Sequence, residues 1–446
     1  MDQSRSAIRA LVLLVVIAVA ARAALFLVYQ PVVYPDTGTY HTLASQILNF
    51  DFSDYRAVRT PAYSLLLLLG YQNHFLVWLI QSTLGVLISI LLFWICLSHT
   101  GNSIWALCAG LAHTLALNQL FFEANVLSET LSTFLIVLSV ASLIAASKRR
   151  HLGYGAWAGF ASAFATLTRP VYIYLGPLFA LLLLLFERDG KRLAASVVVA
   201  FILPVLGWAA FNKATIGQFA LSTNMGYGLT NHSGRFIEHA GDEYATIRDI
   251  YLKHREKKIA ETGSSAVTIF LARDEMREQT GLDDIALSRR LTELSLALFM
   301  KYPSLYLKSV AEAWASFWAA PLYMRPDKFK TPGAAKLIGL GWPPERMLLL
   351  VANLLAVVAS GWVMAAAVVR RVKGTYGMSI PLIVSCVVIG ASVVQALFEY
   401  GENPRYGIPT QSLAVTLVLL VAWDLRAALK ARSAADKRQA PAVLEV

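Results

Sequence analysis

The chain has 446 residues, of which 57% are hydrophobic and only 15% charged, with a mean hydropathy of +0.56. These values exclude a soluble globular domain of this length and make lipid the solvent for most of the chain. A net charge of +11 does not indicate nucleic acid, because the basic residues sit in short clusters between apolar runs rather than on the face of a polar module.

In lipid every backbone polar group must bond within its own segment, and no recurring short alternating strands are present, so the spans are helices. The N-terminal run from Leu11 to Tyr29, preceded by Arg5 and Arg9, exceeds a signal-peptide core and lacks a small-residue cleavage pattern; it is a retained first span. In chain order the candidate spans are Ala7 to Tyr29, Phe75 to Leu97, Ile104 to Phe121, Val126 to Ser147, Gly153 to Thr168, Val171 to Phe186, Leu193 to Phe211, Met347 to Val369, Met378 to Phe398 and Ile408 to Leu425. A crossing needs about 20 residues, which makes this an all-α polytopic membrane protein with about ten transmembrane helices.

Alternation of these spans puts all the main basic clusters on one side: Arg5 and Arg9, Lys148 to Arg150, Arg188 with Lys191 and Arg192, Arg370, Arg371 and Lys373, and the tail from Arg426 to Arg438. That side is the cytoplasm by the positive-inside rule, and both termini lie there. Two further apolar segments belong at the outer interface: Ser64 to Tyr71 is too short to cross, and Tyr302 to Tyr323 would reverse every later loop. Leu307, Val310, Trp314 and Phe317 recur at helical spacing beside Lys308 and Glu312, the pattern of an interfacial amphipathic helix. Further outer helices are expected around Glu243 to Lys258 and Ile285 to Met300. The resulting division is an N-terminal membrane module over 1–212, a partly helical extracytoplasmic region over 213–346, C-terminal spans over 347–430, and a charged, alanine-rich tail over 431–446 that is expected to be disordered. Short loops favour a bacterial inner membrane.

The three cysteines, Cys96, Cys108 and Cys386, lie in apolar segments, where they act as small hydrophobes. No glycine-rich phosphate loop, paired-histidine metal motif or Gly-x-Ser-x-Gly elbow is present, which argues against nucleotide-driven and hydrolase chemistry. No metal or cofactor is expected. There is no internal repeat or symmetry between halves.

What the topology does is collect unusual polar residues at the outer ends of the spans. The first outer loop carries Asp36, Tyr40, Arg56, Arg59 and Tyr63; the second has Glu123 and, just inside the next span, Glu129; the third has Arg169 before Pro170; the last has Glu399, Glu402, Arg405 and Tyr406. Each admits a structural role. Asp36 suits the N-cap of a helix from Thr37 to Asn49. Arg169 suits a snorkelling anchor. Arg405 suits a pair with Glu399 or Glu402. Glu129 is the exception, because an ionisable group in a span ordinarily faces a cavity or a partner. His113 and Asn118 are expected to be satisfied by bonds between helices.

In their order and shared placement, Asp36 with Tyr40, the step Arg59-Thr60-Pro61-Ala62-Tyr63, Ser128-Glu129-Thr130, Thr168-Arg169-Pro170 and Asn403-Pro404-Arg405-Tyr406 resemble the GT-C membrane glycosyltransferases. The nearest likeness is to the protein O-mannosyltransferase and lipid A aminoarabinose transferase group. The sequence departs from the mannosyltransferases in having a single acid at Asp36 where they commonly show two, and 213–346 matches no part of the family's pattern. The resemblance implies a GT-C-like fold and an inverting glycosyltransferase. Its donor would be a polyprenyl-phosphate-linked sugar and its acceptor a lipid, glycan or protein at the extracytoplasmic face. It implies Asp36 as general base, Glu123 or Glu129 orienting the acceptor or sugar, Arg405, Arg169, Arg59 and Tyr406 binding the donor phosphate, and Tyr40 and Tyr63 lining the substrate. Competing readings are a lipid-linked saccharide flippase, which would spread charges along a path through the membrane, and a non-catalytic membrane assembly factor.

Overall fold

The structure is a computed structural model that describes residues 2–439. It is all-helical as expected, with no strand among the described residues. The N-terminal part contains α1 (Asp2–Val28), α2 (Pro35–Asn49), α3 (Pro61–Leu69), α4 (His74–Thr100), α5 (Ser103–Thr114), α6 (Leu117–Ala124), α7 (Glu129–Arg149), α8 (Leu152–Thr168), α9 (Leu175–Phe186) and α10 (Gly190–Ile216). A polar region follows with α11 (Met225–Ser233), α12 (Ala245–Thr262), α13 (Ile269–Thr280), α14 (Asp284–Lys301) and α15 (Pro303–Phe317); the chain then returns through α16 (Pro332–Val372), α17 (Ile380–Phe398) and α18 (Asn403–Gln439).

Among the described residues, seven helices, α1, α4, α7, α10, α16, α17 and α18, are long and apolar enough to cross a membrane, and the pair α5 and α6, bent by 50°, makes an eighth if it is one span. The remaining two runs in the sequence are helical but short, α8 with 17 residues and the segment Pro170–Phe186. The bundle interior is apolar, with Ile88, Leu92, Ile136, Val140, Leu183, Val197, Val387 and Leu417 in one buried cluster. Its outside is apolar too, since Leu203, Leu348 and Leu354 are exposed, the inverse of a soluble protein and the surface that lipid requires. The polar region has a core of its own around Tyr251, Ile269, Met276, Leu287 and Leu291. Its expected helices are present as α12 and α14. α15 lies against α17, where Trp314 Nε1 donates to Ser392 Oγ at 3.0 Å.

Three local differences from the sequence reading have physical causes. The helix expected from Met347 begins at Pro332 and runs through Pro343 and Pro344; a proline pair is ordinarily a boundary because each lacks an N–H and crowds the preceding turn. The tail expected to be disordered is helical as far as Gln439, in keeping with its alanine and arginine content; residues 440–446 lie outside those described. Asp36 is not an N-cap, because α2 starts earlier, with Pro35 in its first turn and Tyr34 as N-cap, a position that suits proline's fixed φ and missing donor.

Inside the membrane module, Arg22 of α1 and Glu123 of α6 form a buried ion pair at 2.5 Å. Gly85 of α4 makes room for it, since a Cβ there would stand 1.9 Å from Glu123 Oε1. His113 Nδ1 meets Ser412 Oγ at 2.7 Å and Asn118 bonds Gln411, so each makes the bond between helices expected of it, though through one of its two polar ends only.

Candidate active site

Three helix N-termini converge at one end of the bundle. Asp36 is in the first turn of α2, Glu129 opens α7, and Arg405 lies in the first turn of α18. The acids sit where the helix dipole favours negative charge. The first outer loop is fixed against the start of α7 by its backbone: Val32 N–H donates to Ala124 O at 3.0 Å and Val126 N–H to Val32 O at 2.8 Å. Thr37 Oγ1 adds a bond to Val126 O at 2.8 Å, and Tyr40 OH one to Ser128 Oγ at 3.2 Å. These contacts bring Asp36 and Glu129 to the same guanidinium.

That guanidinium is Arg405. Its Nη1 is 3.0 Å from Asp36 Oδ2 and 3.1 Å from Glu402 Oε2, while its Nε donates to Glu129 Oε1. Arg169, at the junction of α8 and the following turn, places Nη1 3.1 Å from the same Glu129 oxygen and its guanidinium over the Tyr406 ring at 4.2 Å. Arg59, just before α3, donates from Nη2 to Asp36 Oδ1 at 2.7 Å and from Nε to Thr39 Oγ1 at 2.8 Å, and stacks on Tyr40 at 4.6 Å. Tyr40 packs edge-on against Tyr63, whose hydroxyl donates to Gln81 Oε1 at 2.9 Å. Arg59, Arg169 and Arg405 therefore share Asp36, Glu129 and Glu402 in one network.

The network is graded in depth. Glu129 is fully buried, Arg405 is 7% exposed, and Asp36 and Glu402 are 33% and 38% exposed. Glu129 thus holds two arginines from behind, and Asp36 and Glu402 are the acids of the network that reach its surface. Burial alone would raise the Asp36 pKa, but Arg59 and Arg405 outweigh it and hold the carboxyl below its ordinary value. Glu399 behaves oppositely. Burial, with Glu402 and Asp36 nearby, pushes it up to about 8 against the bond from Asn231. Beside Arg59 a cleft of about 400 Å³ opens between α2 and the following loop, lined by Thr39, Thr42, Gln46, Asp54 and Arg56 among others.

Of the residues singled out in the sequence, Asp36, Glu129, Arg59, Arg169, Arg405, Tyr40 and Tyr406 meet here, with Tyr63 packed behind Tyr40. The Glu123 carboxylate does not join them. It is turned to Arg22, and only its backbone carbonyl is tied toward the site, through Gln81 Nε2 at 2.7 Å. Arg22 itself, an arginine in the middle of an apolar run, carries the signal that would have revealed this pair.

No protein-family model matches the chain, and no curated protein matches it in sequence. Among solved structures it is similar to the archaeal oligosaccharyltransferase AglB from Archaeoglobus fulgidus in complex with an inhibitory peptide and a dolichol-phosphate, with TM-score 0.49, 14% identity, and coverage of 96% of this chain and 52% of that one. A second match is the Archaeoglobus fulgidus oligosaccharyltransferase tethered to an acceptor peptide containing the NVT sequon, with TM-score 0.47, 15% identity, and coverage of 94% and 50%. The chain thus spans about half the length of the solved structures it matches.

Proposed function

We propose that the protein is an inverting glycosyltransferase that moves a sugar from a polyprenyl-phosphate donor to a lipid, glycan or protein acceptor at the extracytoplasmic face. The observation that carries the proposal is the convergence of Arg59, Arg169 and Arg405 on the partly exposed carboxylate of Asp36 and the buried one of Glu129. A polyprenyl phosphate is already a good leaving group, so the reaction calls for a base on the acceptor and cations on the phosphate. The cluster supplies both at the end of an apolar bundle, where a prenyl chain stays in lipid.

In the reaction the acceptor hydroxyl gives its proton to Asp36 as its oxygen bonds to the anomeric carbon. The bond from that carbon to the phosphate oxygen breaks on the opposite side, which inverts the centre, and the electron pair leaves with the polyprenyl phosphate. The additional negative charge falls to Arg405, Arg169 and Arg59, whose planar forks match phosphate oxygens. Glu129 keeps Arg405 and Arg169 aimed. When a donor phosphate engages Arg405 and Arg59, those arginines withdraw from Asp36, and burial then raises its basicity. Donor binding therefore readies the base. The cleft beside Arg59 suits the acceptor.

The test is transfer by detergent-purified protein, offered a panel of radiolabelled polyprenyl-phosphate sugars with a membrane lipid and glycan extract. A labelled product of inverted anomeric configuration supports the proposal. Transfer with retention contradicts the single displacement, and movement of the donor across reconstituted vesicles without transfer contradicts the enzyme assignment.

A further inference from the structure

At the end of α7 remote from Glu129, three loops meet around a second polar cavity. α7 has 21 residues, which at the helical rise separates its ends by about 30 Å. The cavity, of about 320 Å³, is lined by Arg150, Glu187, Arg188, Tyr376 and Gly377 among others. Arg150 follows α7, Glu187 and Arg188 join α9 to α10, and Tyr376 belongs to the turn between α16 and α17.

The charges here do not cancel. Glu187, 6% exposed, is taken up by Arg150 Nη2 at 2.6 Å and by Ser147 Oγ at 2.5 Å. Arg188 and Arg371 are both gathered on the ring of Tyr376, at 5.6 and 4.2 Å, and among the described residues neither has a carboxylate partner. Asp189, next in sequence, is exposed and pairs with neither among the described residues. Arg371 is further fixed by donating from Nε to Leu185 O at 2.6 Å, and the turn is tied down by Gly377 N–H bonding Phe186 O at 2.8 Å. Both charges beside this ring are left uncompensated, so an anion placed near Tyr376 would be attracted by each.

Basic residues that only orient a membrane protein need not converge on a cavity; here Arg150 and Arg188 line one, and Arg371, at the end of α16, is held beside it on Tyr376 and by Leu185 O. Apolar side chains border the same place, with Leu185 41% and Val372 83% exposed. A phospholipid whose phosphate met Arg188 and Arg371 would lay its acyl chains along these residues toward the bundle's lipid-facing side. We propose that this cavity binds the phosphate-bearing headgroup of an anionic phospholipid, at the end of the bundle opposite the candidate active site. Basic pockets between membrane helices are suited to this class of ligand.

The test is native mass spectrometry of the detergent-purified full chain incubated with dioleoyl phosphatidylglycerol or dioleoyl phosphatidylcholine. The expected result is selective retention of phosphatidylglycerol. The double variant Arg188→Ala/Arg371→Ala should lose it by about tenfold or more, the loss of one or two charge-assisted bonds. Tyr376→Leu, which removes the ring while keeping both charges, should weaken it in the same direction, with the lipid-free melting temperature unchanged in both variants. Equal retention of the two lipids, or undiminished phosphatidylglycerol binding by the double variant, overturns the proposal. Displacement by an equal concentration of inorganic phosphate makes the ligand a soluble phosphate and overturns the lipid assignment. The readout is binding alone, so its outcome is independent of sugar transfer.

Discussion

Arg405 Nη1 stands 3.0 Å from Asp36 Oδ2, joining the first turn of the last helix to the first turn of the first outer helix. Because Arg405 also bonds fully buried Glu129, its loss affects two things at once. Arg405→Ala should raise the donor KM and lower kcat, and should also destabilise the fold, because removing one partner of a buried pair costs about 3–5 kcal/mol. Arg169 remains on Glu129 at 3.1 Å, which puts the loss toward the lower figure. Arg405→Lys should recover stability better than transfer, since an ammonium does not reproduce the guanidinium fork. Steady-state kinetics alongside thermal unfolding separates the two effects.

The Arg22–Glu123 pair lies away from the arginine cluster, so its disruption should act on stability. Arg22→Ala leaves a buried carboxylate unpaired and should lower stability by about 3–5 kcal/mol. The double change Arg22→Met/Glu123→Leu should recover most of it, with transfer largely retained. A double variant as unstable as the single one, measured by unfolding in detergent, contradicts this reading. Gly85→Ala should resemble Arg22→Ala, because its Cβ would occupy the space of the pair.

Glu399 supplies a pH signature. Its folded pKa, about 8, is above the ordinary value of 4.5, chiefly through burial. Between these values the native state holds a proton that the unfolded state has released, so this group makes stability fall as pH rises from about 4.5 to 8 and contributes no further slope above that. Glu399→Gln, which keeps the acceptor for Asn231, should raise the melting temperature at pH 8 to 9 and leave it nearly unchanged at pH 4. Parallel pH profiles for the two proteins contradict the assignment.

Much of the cluster was legible because motifs far apart in sequence, at Asp36, Glu129, Arg169 and Arg405, fall on one side once the apolar runs alternate. Their partners were less so. Glu402 was one of two possible mates for Arg405, and the structure has Arg405 bonded to Glu402, Asp36 and Glu129 together, a tertiary fact without a local signature. Asp36 was masked by its suitability as a cap, which Tyr34 fills instead. Span boundaries were least legible where hydropathy is silent about bends: the break at Leu115 and Ala116 interrupts a continuous apolar run, and Glu345, far along the chain, accepts the Leu117 N–H at 2.7 Å, one of the donors a helix start leaves open.

Whether Asp36 takes the acceptor's proton while the arginines hold the donor is decided by measuring donor binding and sugar transfer side by side for Asp36→Asn. Donor affinity should be at least that of the unmodified protein, since Arg59 and Arg405 no longer have to leave a carboxylate, and transfer should be lower by about 10²–10⁴-fold, the usual contribution of a positioned base. Transfer at the unmodified rate by purified Asp36→Asn protein would contradict that role for Asp36.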